Sequence, residues 1–221
     1  MNFHQLTELI DEGEGLHIEF KRKVSSPERI AKEMIAFANT SGGVILFGID
    51  DDRSTVGVES EKGEVEFIEL AAREYVDPPL SIAISYFVID EKDIVCVEVP
   101  ESKIKPHFLM HASEQNGDDE RKSYLRVGEN SVLASKEMIK VMRYQSGDSE
   151  PLRLIIGEAE KRLFAFFELQ DRITVKEYAH LINVSERRAS RLLLRLVRAG
   201  VLAIHTLEKS DYFSLMRNGD S

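Results

Sequence analysis

Residues 25–52 read SSPERIAKEMIAFANTSGGVILFGIDDD. Ser25-Ser26-Pro27-Glu28 is a helix start: a serine to cap, a proline for the first turn, and an acid beside the positive end of the helix dipole. Behind it Ile30, Met34, Phe37 and Ala38 fall at i, i+4, i+7 and i+8, which draws an apolar stripe down one side of a helix. Asn39-Thr40-Ser41-Gly42-Gly43 stops that helix, and the glycines supply the positive φ that a tight helix-to-strand turn requires. Val44-Ile45-Leu46-Phe47-Gly48-Ile49 is a continuous apolar run, the pattern of a strand buried on both faces. Asp50-Asp51-Asp52 turns the chain back to water. A helix that feeds a doubly buried strand predicts a mixed α/β core.

Helix and strand patterns alternate on either side. Asn2 to Glu12 is amphipathic, with Phe3, Leu6, Leu9 and Ile10 on one side. Leu16 to Phe20 alternates apolar and polar, as a half-buried strand does. Glu64 to Tyr75 reads as a helix. Leu80–Ile89 and Asp93–Val99 read as a hairpin through Asp90-Glu91-Lys92. Ala112 to Lys122 reads as a polar loop, Tyr124–Val127 as a strand, and Ser135–Met142 as a short helix. Gln145 to Pro151 is polar and has no apolar period, which marks a linker. The expected division is therefore 1–146, a linker at 147–153, and a second domain at 154–221.

That second domain has its own order. Helical patterns at Glu158–Leu169, Lys176–Leu181 and Ser185–Ala199 are followed by strands at Val201–His205 and Tyr212–Leu215, with Ile173-Thr174-Val175 extended between the first two helices. Gly200 stands where a left-handed C-terminal residue belongs. Helix, helix, helix, hairpin is the order of a winged helix-turn-helix.

Composition limits the function classes. The chain has 221 residues, 43% hydrophobic and 31% charged, enough for a sizeable core. It lacks an apolar run of membrane-spanning length, so no membrane partner is expected. An acidic N-terminus without an apolar stretch argues against a signal peptide and for a cytoplasmic protein. The single cysteine, Cys96, excludes an intrachain disulfide framework and a cysteine-rich zinc site. The net charge of −10 is unevenly spread: residues 1–150 hold 17 basic and 30 acidic side chains, and residues 151–221 hold 12 and 9. The smaller region is thus the better partner for a polyanion.

The Ser185–Ala199 helix carries the sharpest signal. At 100° per residue, Arg187, Arg191, Arg195 and Arg198 cluster on one side, while Ala189, Leu192, Leu193 and Leu196 lie opposite. With Arg188 added, one face offers guanidinium groups for phosphates or guanine edges. The plainer alternative is a solvated outer face, since arginine is a good helix former. In the first domain, Glu14 and Glu19 flank the first strand and Asp50–Asp52 follow the buried one. Carboxylates at strand ends can hold Mg²⁺ or Mn²⁺, although an acid-rich domain also clusters carboxylates by chance. No P-loop is present, which argues against ATP. His107 and His111 are four apart but follow Pro106, so a structural role is expected of them. Cys96, inside an apolar strand, is expected in the core.

Several of these pieces together resemble the Schlafen-type Alba-like domain. They are Glu14-x4-Glu19-Phe20-Lys21, then Ala36-Phe37-Ala38-Asn39-Thr40-Ser41-Gly42-Gly43, then Leu46-Phe47-Gly48-Ile49-Asp50-Asp51. Pro78-Pro79, Lys105-Pro106-His107, Tyr124–Gly128 and Ala134-Ser135 follow in order. The resemblance implies a mixed α/β fold that binds nucleic acid, here followed by a winged helix as in bacterial transcriptional regulators. In animal Schlafens, related domains cleave structured RNA such as tRNA with two Glu and one Asp on a divalent metal. Glu14 and Glu19 match the two Glu positions, and Asp51, or Asp50, the Asp. The Schlafen core pairs two such domains, so a homodimer would have to supply the second. Lys21, Arg22 and Lys23 form the one evident basic patch in the acidic domain.

Two functions follow as expectations. The first is a DNA-binding transcriptional regulator that contacts duplex DNA through Arg187, Arg188, Arg191 and Arg195, with the first domain dimerising or binding further nucleic acid through Lys21, Arg22 and Lys23. The alternative is a metal-dependent ribonuclease, with Glu14, Glu19 and Asp51 on Mg²⁺ or Mn²⁺ and Lys21 at the scissile phosphate.

Overall fold

A computed structural model describes residues 1–110, 121–147, 156–207 and 210–216. Two compact units emerge, Met1–Leu133 and Ala134–Ser221. The first holds α1 (Phe3–Glu12), β1 (Ile18–Lys21), α2 (Pro27–Asn39), β2 (Gly43–Phe47), α3 (Glu61–Glu74), β3 (Val76–Asp77), β4 (Ala83–Ile89), β5 (Lys92–Val99), β6 (Phe108–Leu109), β7 (Tyr124–Val127) and β8 (Asn130–Leu133). The second holds α4 (Lys136–Gln145), α5 (Glu158–Phe167), α6 (Val175–Ile182), α7 (Glu186–Arg198), β9 (Leu202–Thr206) and β10 (Asp211–Leu215). The chain is mixed α/β, as the alternation of patterns predicts.

The main sheet has the order β1-β2-β5-β4. β2 is parallel to β1 and antiparallel to β5, and its alternating side chains enter two different cores. Ile45 and Phe47 pack with Met34, Ile35 and Phe37 of α2 and with Ile68 and Ala71 of α3. Leu46 packs on the other side with Leu6 of α1, Ile18, Phe20, Ile94 and Cys96. Period-two alternation vanishes from Val44–Ile49 because neither face of the strand meets water.

The helix-to-strand turn needs both of its glycines. Gly42 has φ +74 and its N–H donates to the Phe37 carbonyl at 2.9 Å. A β-carbon on Gly43 would lie 2.3 Å from the Phe37 ring. At the start of α2, Ser26 accepts from the Arg29 N–H and Pro27 occupies the first turn, as the cap motif predicts. The β4–β5 hairpin turns on Asp90 and Glu91, both at positive φ, as a two-residue turn matched to strand twist requires. The short pairs β3–β6 and β7–β8 complete the unit. Patterning misses β3, β6 and β8, which are too short to show a period. The expected loop over Ala112–Lys122 falls largely outside the described residues, as do His111 and most of the expected linker.

In the second unit α5, α6 and α7 precede the antiparallel pair β9–β10, and Ile173 bridges to Phe213. Leu163, Tyr178, Ala189, Leu193, Leu202 and Phe213 form its core. α4 also belongs here, whereas the sequence division at 146 leaves it with the first domain. Ser135, its cap, donates to Asp211, and Ser190 of α7 donates to Glu137 at 2.7 Å. The Arg198 guanidinium lies 4.3 Å over the Tyr144 ring. The shift does not alter the charge asymmetry: residues 1–133 hold 14 basic and 27 acidic side chains, residues 134–221 hold 15 and 12.

Candidate nucleic-acid interface

α7 is set by local chemistry at both ends. Ser185 caps it by accepting from the Arg188 N–H, and Asn183, in the left-handed region, ends α6 just before it. Gly200 follows at φ +69, as its position predicts. Ala189, Leu193 and Leu196 are buried in the core of the unit and Leu192 is half-buried, which matches the apolar side of the helix wheel. Ser190 and Leu194 are buried as well, on the flank that faces α4.

What remains is an arc of arginines. Arg187, Arg188 and Arg191 are exposed and Arg195 is half-buried. Among the described residues none of the four forms an ion pair, although Glu186 stands in the same helix. Arg198, on the edge of the arc, is engaged by Tyr144 instead. The arrangement places unneutralised guanidinium groups on a rigid rod whose other sides are packed, which suits phosphate contacts and bidentate contacts to base edges.

The basic residues of the first unit are spent differently. Lys21 pairs with Glu19, and Arg22 with Asp50 at 2.6 Å. Lys23 is exposed; burial raises the pKa of Glu64, and the Val24 N–H that donates to it and the charge of Lys23 only oppose that rise. The expected Lys21–Lys23 patch therefore has two of its three charges matched by the protein's own acids.

The carboxylates matched to a metal set are also engaged. Glu14 accepts from the Phe20 N–H at 2.8 Å. Burial raises its pKa, the Phe20 hydrogen bond opposes that, and the charges of Glu19 and Asp51 raise it further. Glu14, Glu19 and Asp51 are thus close enough to repel. Glu19 is buried, with one carboxylate oxygen on Lys21 and the other 2.8 Å from Arg126 Nη1. Asp51 is exposed in a turn braced by Asp50 and Asp52, which accept from the N–H groups of Asp51 and Ser54. Among the described residues no group of three or more His, Cys, Asp or Glu side chains is placed to hold a metal ion. A divalent cation would need carboxylate oxygens free to ligate, and both oxygens of Glu19 already face cations. As arranged, these side chains do not fit the metal.

Arg126 is the residue sequence reasoning misses. Its side chain is fully buried. Nη1 donates to Glu19 and to Ser131, and lies 3.5 Å from Glu33; Nη2 donates to the Gly15 carbonyl at 2.6 Å. The guanidinium lies 4.7 Å from the Phe37 ring centroid. It ties β1, α2 and the β7–β8 hairpin together. The available signal is an arginine in the middle of the strand Tyr124-Leu125-Arg126-Val127, a charge where the pattern expects a buried side chain.

The histidine and cysteine have structural surroundings. His107 is buried between the Pro78 carbonyl at 2.6 Å and Ser102 Oγ at 2.7 Å, and burial lowers its pKa. Its backbone is held by Asn39, which also reaches Ser123 and the Tyr124 carbonyl. Burial pushes the Cys96 thiol up to about 12, so it is a poor nucleophile. No described helix is long and apolar enough to cross a membrane.

The fold and this set of residues define a mixed α/β domain followed by a helical unit. Residues 14–135 match the family model Schlafen, AlbA_2. The chain belongs to that family. No curated protein matches it. Among solved structures, it is similar to the crystal structure of the DIP2311 protein from Corynebacterium diphtheriae, with 16% identity and a TM-score of 0.47 over 65% of this chain and 32% of that one. The chain thus spans about a third of that protein's length. It is also similar to the solution structure of the N-terminal domain of a protein from Nitrosomonas europaea described as ATP-dependent DNA helicase RecG-related. There the identity is 22% and the TM-score 0.42, over 69% of this chain and 94% of that one.

Proposed function

We propose that the protein is a DNA-binding regulator whose second unit is a winged helix-turn-helix that lays α7 against duplex DNA. One observation carries this reading: Arg187, Arg188 and Arg191 stand exposed on α7 with no ion-pair partner among the described residues. In a chain of net charge −10, a cationic surface left unneutralised is a surface meant for an anion. The helix–helix–helix–hairpin order supports the assignment, since it is the order in which such modules present their third helix to a groove. Membership of a nucleic-acid-associated family supports the partner class. Two copies would present two recognition helices to a near-palindromic site.

The test is a salt series on a short duplex by fluorescence anisotropy, comparing the wild type with Arg191→Ala. The variant should bind more weakly, and its salt dependence should fall by about one counterion. Identical affinity and slope would end the proposal. The ribonuclease alternative is the weaker one, because Glu19 is committed to Arg126 and Lys21.

A further inference from the structure

We propose that β4 is a self-pairing edge, through which two copies of this chain join their sheets antiparallel about a two-fold axis at Tyr86. β4 is the outer strand of the sheet, bonded to β5 on one side. Among the described residues nothing hydrogen-bonds to the backbone of its other side. Such an edge is a template for another strand, and proteins that do not use it guard it with charges, proline or a bulge. The strand Ala83-Ile84-Ser85-Tyr86-Phe87-Val88-Ile89 holds no charge, no proline and no glycine. It also leaves Tyr86 51% and Val88 60% exposed.

The sequence of the strand identifies the occupant as a second copy. A two-fold axis perpendicular to the sheet must pair residues with an even index sum, so that each face meets its own kind. Centred on Tyr86, the pairing sets Ile84 of one copy against Val88 of the other, with the two Tyr86 rings side by side. These are the β-branched and aromatic pairs that stabilise a sheet. On the opposite face, Ala83 meets Ile89 and Ser85 meets Phe87, each small side chain against a large one. Phe87 and Ile89 already pack against the core of their own unit, so this pairing continues an existing apolar face from one copy into the next. Charge points the same way. Two chains of net −10 repel, and a charge-free strand is where they can meet with the least opposition.

This inference does not depend on the DNA reading, because β4 lies in the first unit and α7 in the second. The experiment is sedimentation of the full chain without DNA, for the wild type, Tyr86→Lys and Val88→Lys. Both positions are exposed, so the variants keep the fold, and circular dichroism checks it. The wild type should sediment at twice the 25.1 kDa chain mass. Each lysine variant should weaken the dimer at least tenfold, since the two-fold axis introduces every substitution twice. Mild oxidation should link copies of Tyr86→Cys but not copies of Val88→Cys, whose partner position is Ile84. A monomeric wild type, a dimer unaffected by both lysines, or equal linking at the two cysteine positions would overturn the proposal.

Discussion

Arg126 and Arg191 put one side chain to opposite uses. The first is fully buried, beside two glutamates and two backbone carbonyls that accept from it, and it holds three elements of the first unit together. The second is exposed on α7 and forms no ion pair among the described residues. The same contrast holds across the units. In the acidic first unit Lys21, Arg22 and Arg126 are bound to the protein's own acids, and Arg53 donates to the Asp11 carbonyl. On α7, Arg187, Arg188, Arg191 and Arg195 form no ion pair among the described residues. Where acids surround a cation its charge serves the fold, and where they do not the charge stays open to solvent.

The largest test of that contrast is Arg126→Ala. It strands Glu19 and Glu33 partly or wholly out of water, and breaking a buried pair in this way costs about 3–5 kcal/mol. Thermal unfolding should show the first unit melting far below the wild type. Glu19→Gln separates the structural reading from a metal site. If Glu19 pairs with Arg126, the variant is less stable and millimolar Mn²⁺ leaves the wild-type midpoint unchanged. If Glu19 is a ligand in a repelling acid cluster, the variant is more stable without metal and Mn²⁺ raises the wild-type midpoint.

On α7 the signs reverse. Arg187→Ala with Arg191→Ala should reduce affinity for duplex DNA by more than tenfold while shifting stability by no more than about 0.5 kcal/mol, as exposed positions do. Ser185→Ala removes the cap that orders the arginine-bearing turn. It should lower stability by about 1 kcal/mol, read from a urea midpoint, with a smaller loss of affinity than the arginine pair.

The smallest effect is the pH response of His107. Burial holds its pKa below the ordinary 6.5, so the unfolded chain binds the proton more readily than the folded one. The contribution is complete above 6.5 and drains away as pH falls toward the depressed folded value. Urea unfolding from neutral pH to about pH 5 should therefore show a falling midpoint that flattens in His107→Gln.

The elements that dominate the fold were legible because their signals are local. Caps at Ser26 and Ser185, the stripe on α2, the unbroken apolar run of β2 and the left-handed Gly200 are short-range features, and each appears where the pattern puts it. The arginine face of α7 was legible for the same reason, since a helix wheel fixes which side chains share a side. Lys21–Lys23 looked equally cationic in sequence, because Asp50, the acid that pairs with Arg22, comes from 28 residues away.

By itself, then, the sequence determined helix and strand types, the doubly buried strand, the two-region charge asymmetry and the direction of the α7 arginines. All of these follow from neighbours within a few turns of the chain. Tertiary structure alone decided that α4 packs with the second unit, that β4 ends the sheet, and that Arg126 reaches Glu19 across 107 residues of chain. The free or bound state of a charge belongs to that second class. Coulomb attraction depends on distance in space, and a linear sequence does not record which distant carboxylate folding will bring near.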